Sequence, residues 1–313
     1  MYYFRVMSDS PFDHARFSLG RLRSFLKVYD AGSIVAAARR APNVVAQQSQ
    51  LSRQLSELRE VFGTELFEGV GRERRPTPFA TKLAQLVRDF EVGLEDLRAG
   101  LRAEPLVCAM GAGNSVLHWL LLPHLHAVAD KLPAALEPRV RWRPSGLDND
   151  DVNELVEAGR LDFGIVFGRA PRPGTKRTRL GSLDYRLFAR RRGRGLPPSW
   201  QELVKTAPLA AVTTAPNVEQ AIAQLGAEAK SHCDTWPQVA SAVRTGRWVG
   251  VLPHIARVEL TDADYWSVPV PCLGSLSTTL WLASRPRLDD LRPELRPIRD
   301  ALIAVLQPAL RDP

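Results

Sequence analysis

The sequence changes character at Pro105, and that change limits the possible fold more than any other feature. Before Pro105 apolar residues recur at helical spacing, and after it short β-rich runs alternate with helical stretches. The chain therefore reads as a helical N-terminal part followed by an α/β part.

Three short helical patterns stand close together near the start. Leu22, Phe25, Leu26 and Tyr29 fall at i, i+3, i+4 and i+7 and form one apolar stripe, which Gly32 ends. Ser33 suits the cap of a second helix carrying Ile34, Ala37, Ala38 and Ala41, closed by Pro42. Its small side chains allow close approach of another helix. A third helix turns Leu51, Leu55, Leu58 and Phe62 inward and ends at Gly63. Its other face shows Gln48, Ser49, Gln50, Ser52 and Arg53, polar groups able to reach base edges and phosphates.

After Gly63 an apolar pair, Leu66 and Phe67, leads into a hairpin rich in glycine and arginine, with Arg72, Arg74 and Arg75. Arginines there suit a wing lying along a phosphate backbone while the third helix enters the major groove. Taken alone, the cluster would read as a solvated loop; the three helices just upstream tip the balance to the wing. Next, Leu83, Val87, Phe90, Leu94, Leu97 and Leu101 alternate four- and three-residue steps, with charged flanks such as Arg88 and Glu91. The spacing predicts a seam where two helices pair, the other possibility being one helix packed on its own domain.

Length and charge agree with a two-part protein that meets an anionic partner. The chain has 313 residues and a net charge of +8. Cys108, Cys233 and Cys272 are far apart and form no CxxC pair, so they read as thiols of a reducing compartment. No apolar run is long enough to span a membrane, and Met1 to Asp13 lack the apolar core of a secretory signal. A cytoplasmic protein with no membrane partner is expected.

In order and spacing, residues 22–100 resemble the DNA-binding region and linker helix of the LysR-type transcriptional regulators. The matching stretches are Leu22-Arg23-Ser24-Phe25-Leu26-Lys27-Val28, Gly32-Ser33 with Ala36-Ala37-Ala38, and Ser52-Arg53-Gln54-Leu55-Ser56-Glu57-Leu58. Gly63-Thr64-Glu65-Leu66-Phe67 and Thr77 complete them. Three departures accompany the match. About three extra residues sit around Pro42-Asn43-Val44, Gly69 replaces the family's usual arginine, and Ala80 replaces a typical glycine.

Residues 1–17 are polar, mixed and aperiodic and read as a disordered arm. The resemblance implies a winged helix-turn-helix over 18–78, a dimerisation helix over 79–104 and an effector domain over 105–313. That domain would be two-lobed, α/β and periplasmic-binding-protein-like. Its first lobe would hold residues of about 105–185 and 270–313, and its second about 186–269. The alternating patterns fit, with strands over 106–112, 140–143, 161–167, 185–189, 209–212, 249–252 and 278–284. Helices fall over 115–128, 148–158, 218–225, 238–245 and 290–306.

In such sheets ligands bind beyond the carboxyl ends of the strands, where helix N-termini offer free amides. Asn114 and Ser115 occupy one such place, Thr213 and Thr214 another, and Trp236 follows Thr235 at a third. These residues are the candidate effector site, though Ser, Thr and Asn cap helices throughout proteins.

Other chemistries find less support. Gly111 and Gly113 lack the third glycine of a dinucleotide loop, with Val116 in its place. Asp148 to Asp151 begin like a calcium loop but lack its glycine and closing glutamate, and read as an acidic helix start. His118, His124 and His126 do not share one helix face. No catalytic motif, metal or cofactor is implied. The reading is a ligand-responsive regulator with three partners: a double-stranded DNA operator, a small-molecule effector and copies of itself in a homodimer or homotetramer. A solute-binding protein of a transport system shares the two-lobe fold, but the helix-turn-helix argues against it.

Overall fold

The computed structural model describes residue 11, residues 14–39, 41–69, 75–101, 105–168, 175–191, residue 193, and residues 197–213 and 216–311. The backbone divides into two compact units, one reaching Glu95 and one beginning at Asp96. The arm over 1–17 and the wing residues Arg72 and Arg74 lie mostly or wholly outside the described residues.

The N-terminal unit is built from α1 (Leu19–Ala31), α2 (Ile34–Ala38), α3 (Val44–Phe62) and a hairpin of β1 (Phe67–Glu68) and β2 (Arg75–Pro76). It also holds the first part of α4 (Pro78–Leu101). Each of the first three helices starts on a side-chain cap: Ser18 accepts from the amide of Arg21, Ser33 from Ala36 and Asn43 from Ala46. The second helix is shorter than its alanine spacing predicts and stops at Ala38, leaving Ala41 outside. Pro42 disfavours helical geometry at the residue before it, and the last turn tightens through Arg39 N–H donating to Ala36. Phe25, Leu51 and Leu58 are fully buried among Leu22, Leu26, Leu55, Leu66 and Phe67.

The paired-helix seam divides. Leu83 and Val87 turn into this core together with Ala80 and Ala84, while Phe90 and Leu94 stay exposed. A three-helix body this small leaves its core open on one side, and the first half of α4 closes it. Spacing alone cannot distinguish that cover from a partner helix. Ion pairs from Arg88 to Asp30 and from Arg23 to Glu91 clamp α4 to α1. The exposed apolar strip of α4 is therefore Phe79, Leu86, Phe90 and Leu94, with Leu86 57% and Phe90 46% exposed. The side chains of Leu97 and Leu101 lie outside the described set.

The C-terminal unit holds two five-stranded mixed sheets. In the first, β3 (Leu106–Ala112) lies parallel between β4 (Val140–Gly146) and β5 (Phe163–Phe167). Beyond β5 come β12 (Thr278–Ser284) and then β6 (Lys176–Leu183), joined by antiparallel pairing. Its helices are α5 (Asn114–Val116), continued through a π turn over Leu117–Leu121 into α6 (Leu122–Ala129), and α7 (Asn149–Glu157). At the end of the chain α11 (Leu288–Leu291) and α12 (Leu295–Ala309) return to this sheet. The second sheet runs β11 (Tyr265–Pro269), β7 (Tyr185–Arg190), β10 (Val249–Pro253), β8 (Leu209–Val212), β9 (Ala229–Cys233). Its helices are α8 (Trp200–Thr206), α9 (Pro216–Gln224) and α10 (Trp236–Arg244).

One carboxylate joins the two layers. Trp119, in the π turn beside the first sheet, donates its indole N–H to Glu259 Oε2 at 2.8 Å, and Arg244 of α10 meets Oε1 at 2.8 Å. His118 Nε2 stands 3.5 Å from the same carboxylate. Trp119 is only 1% exposed, so Glu259→Ala strands a buried donor. The expected loss is about 1–3 kcal/mol of stability, read from denaturant unfolding. Unchanged unfolding would show that the indole finds another acceptor.

Candidate DNA-reading surface and ligand cleft

The outward side of α3 presents one polar strip. Val45 is 74% exposed, and Ser49, Ser52 and Arg53 follow it at helical spacing, all exposed. Gln50 is exposed beside the strip, while Gln48 is half-buried. Arg53 lies 3.8 Å from Glu57, four residues on, and Glu57 is also paired with Arg21. The Arg21 hydrogen bond holds the Glu57 carboxyl below the usual glutamate range, so it stays ionised and keeps Arg53 within reach of the strip.

The hairpin stands after α3, with Phe67 opposite Pro76 and Glu68 opposite Arg75. Arg75 is exposed on it. Gly69 has a φ of 88°, which a side-chain-bearing residue rarely adopts, so the arginine expected there is incompatible with this turn. Thr77 then caps α4: its hydroxyl accepts from Ala80 N–H at 3.1 Å and donates to Glu65 O at 3.0 Å. Val45 is the surface residue that polarity-based reading missed; its exposure at the start of α3 is the signal that finds it.

In the C-terminal unit β3, β4 and β5 run parallel, so their carboxyl ends share one edge of the first sheet. Asn114 and Ser115 begin α5 at that edge. A Cβ on Gly146, at the end of β4, would overlap the Asn114 side-chain oxygen, so glycine there leaves Asn114 its place. Ser115 is buried, and α5 packs against α10 of the second sheet. At the N-terminus of α10 the half-buried Trp236 touches the apolar cores of both sheets. Its ring lies 5.0 Å from that of Tyr185, whose hydroxyl burial pushes up to about 12. Asn114, Ser115 and Trp236 thus come together where the two sheets meet.

Thr213 follows β8 and shares a hydrogen bond of 3.1 Å with His232 on neighbouring β9. Thr214 lies outside the described residues. Tyr185 and His232 were missed from sequence because both sit on strands: His232 meets Thr213 across paired strands, and Tyr185 meets Trp236 where α10 packs on the sheet. Among the described residues, no group of three His, Cys, Asp or Glu side chains is set to hold a metal, and no helix is long and apolar enough to cross a membrane.

Comparison with known families supplies the deciding observation. Residues 19–81 match the family described as bacterial regulatory helix-turn-helix protein, lysR family, and residues 108–307 match the LysR substrate binding domain. The chain belongs to the LysR family. Within it, Nodulation protein D 1 of Rhizobium meliloti (strain 1021) is 32% identical over 149 residues, which cover 46% of this chain and 46% of that protein. The match thus spans less than half of that curated relative.

Solved LysR-type structures share the fold along nearly the whole chain. LysG of Corynebacterium glutamicum, solved full-length with bound effector Arg, aligns with a TM-score of 0.60 at 17% identity, over 93% of this chain and 100% of that one. ArgP of Mycobacterium tuberculosis aligns with a TM-score of 0.58 at 20% identity, covering 93% and 97%.

Proposed function

We propose that this LysR-family protein is a sequence-specific DNA-binding transcriptional regulator that answers to a small-molecule effector. The observation that carries this reading is the exposed strip Val45, Ser49, Ser52 and Arg53 on a capped helix beside the hairpin. Hydroxyls and a guanidinium at the N-terminal half of such a helix suit base edges in the major groove, and Val45 suits the methyl group of thymine. Arg75 on the hairpin, with Arg72 and Arg74, suits the phosphate backbone. A solute-binding protein has no use for this surface. A DNA partner puts the protein in the cytoplasm, and nothing in the family calls for catalysis.

The effector is bound between the two sheets, at Asn114, Ser115, Thr213, Thr214 and Trp236. Free amides at the N-termini of helices and the nearby hydroxyls suit a polar or anionic metabolite. Two copies pair through Phe79, Leu86, Phe90 and Leu94, and a homodimer or a tetramer of such pairs presents two recognition helices to two half-sites. Effector binding favours one setting of the two sheets, and α4 passes the change on as a new spacing of the recognition helices.

Arg53→Ala is expected to weaken operator binding by about 1–3 kcal/mol, the range for one good base contact. Electrophoretic shift assays at fixed salt measure it against the natural operator and an unrelated duplex. Equal affinity of the variant and the parent for the operator would remove Arg53 from the reading face.

A further inference from the structure

A cavity of about 410 Å³ lies along β6, the outer strand of the first sheet and three strands from β3, at a point where the chain crosses between sheets. Its walls come from β6 (Arg179, Ser182), from the crossing residue Asp184, from Arg186 on β7, from His254 after β10, and from Arg311 beyond α12. This volume falls within the range of small-molecule sites. We propose that this cavity is a binding site for a small metabolite oxyanion, a phosphate or carboxylate, separate from the effector cleft.

Charge is the first support. Arg179, Arg186 and Arg311 face the cavity against one carboxylate, Asp184, which already accepts a hydrogen bond from Ser277 Oγ at 2.5 Å. Among the described residues none of these three arginines has an ion-pair partner. Burial first, and then the positive charge of nearby Arg257, hold the Arg186 guanidinium below its usual range. The last carbonyls of α12 oppose an anion here, but a half-charge at a helix end is smaller than the excess of guanidinium groups. Cations gathered without counterions cost free energy, which an oxyanion would relieve through paired hydrogen bonds.

His254 is the second support and is independent of the first. The side chain is 4% exposed and its Nε2 is buried without a hydrogen-bond partner. Nδ1 lies 3.1 Å from the backbone N–H of Asp184 and 3.3 Å from its carbonyl oxygen; in the tautomer that takes the shorter contact, Nδ1 accepts and Nε2 carries the proton as a donor in need of an acceptor. Burial keeps the imidazole below its usual range, hence neutral. The ring also borders a neighbouring cavity of about 370 Å³, where Arg257 is paired with Asp262 at 3.7 Å. A buried ring nitrogen without a partner, in a wall shared with Arg179 and Arg186, is what an absent oxyanion would leave. An anion in this place touches both sheets and the end of α12, so its binding is linked to any change in how the sheets are set.

Titration calorimetry on the full-length protein tests the site, with inorganic phosphate, sulfate and succinate as probes. Saturable binding of at least one probe is expected. Arg186→Gln and the more exposed Arg179→Gln should each weaken it about tenfold, as expected for loss of one charge-assisted contact. Arg139→Gln, an exposed change beside β4 at the opposite edge of the first sheet, should leave it unchanged. Melting curves without anion check that the variants fold, and Arg179→Gln decides the matter if Arg186→Gln does not. Absence of saturable binding by all three probes overturns the proposal, as does equal weakening by Arg139→Gln. Arginine-site variants that bind like the parent overturn it too.

Discussion

A chain carrying Leu86→Glu and Phe90→Glu is expected to run as a monomer and to lose specific operator binding while both units stay folded. Both residues are exposed in the isolated chain, so the changes cost its own core little. In a pair of helices they would bring like charges together in an apolar contact, where unpaired charge is expensive. Two half-sites are then no longer held by one molecule, and affinity falls to that of a single recognition helix. Light scattering coupled to gel filtration gives the mass, and circular dichroism gives the fold. Leu83→Glu with Val87→Glu makes the contrast, because these side chains are buried in the N-terminal core. That pair should unfold the N-terminal unit rather than separate copies. If the first variant kept the mass of the parent, the strip would not be the pairing face.

Asp162→Ala is expected to destabilise the C-terminal unit by about 3–5 kcal/mol, the cost of removing one partner of a buried ion pair. Asp162 is 4% exposed; one oxygen accepts the backbone N–H of Ala109 at 2.8 Å and the other meets Arg292 at 2.5 Å. Arg292 also donates to Val107 O at 3.2 Å, so the pair fastens the segment before α12 to β3. Asp162→Asn keeps an acceptor for Ala109 and should lose less. Urea unfolding of the full chain measures both, and a loss below about 1 kcal/mol for the alanine variant would show the site relaxing or admitting water.

What could be read from the sequence follows a physical rule. Helix ends near Ser33, Gly32 and Gly63 were legible because caps depend on a few adjacent residues. Central strands such as β5 and β8 were legible because both of their faces are buried and their residues are nearly all apolar. The strands missed were β6, β9 and β11, and each lies at the edge of its sheet. An edge strand needs little apolar content, and in Lys176–Leu183 only Leu180 and Leu183 are buried. The fourth edge, β4, was recognised only in its first half, before its polar residues. Helix α8 also escaped, although its capping box, Ser199 with Glu202, was there to be read.

Among candidate site residues, the exposure of Ser49, Gln50, Ser52 and Arg53 on α3 followed from helical periodicity, while the half-buried Gln48 and the exposed Val45 did not. The division of the α4 seam did not, because an apolar residue carries no mark of which surface will cover it. Arg179, Arg186 and His254 come from three separate strands or strand ends, and only the folded sheets bring them to one cavity.

The first sheet is begun early in synthesis and completed late. Its strand β12 fits between β5 and β6, yet the whole second sheet, from Tyr185 to Pro269, intervenes in the chain. A ribosome adding about 5–20 residues each second releases β3, β4, β5 and β6 well before Thr278–Ser284 follows. For that interval β5 and β6 have no shared neighbour, and their open edges can pair with other chains. The second sheet has all its strands by Pro269 and can close by itself. A nascent chain halted between residues 270 and 277 would therefore carry one finished sheet and one with a missing strand, and would be a target for chaperones or proteases rather than for ligand.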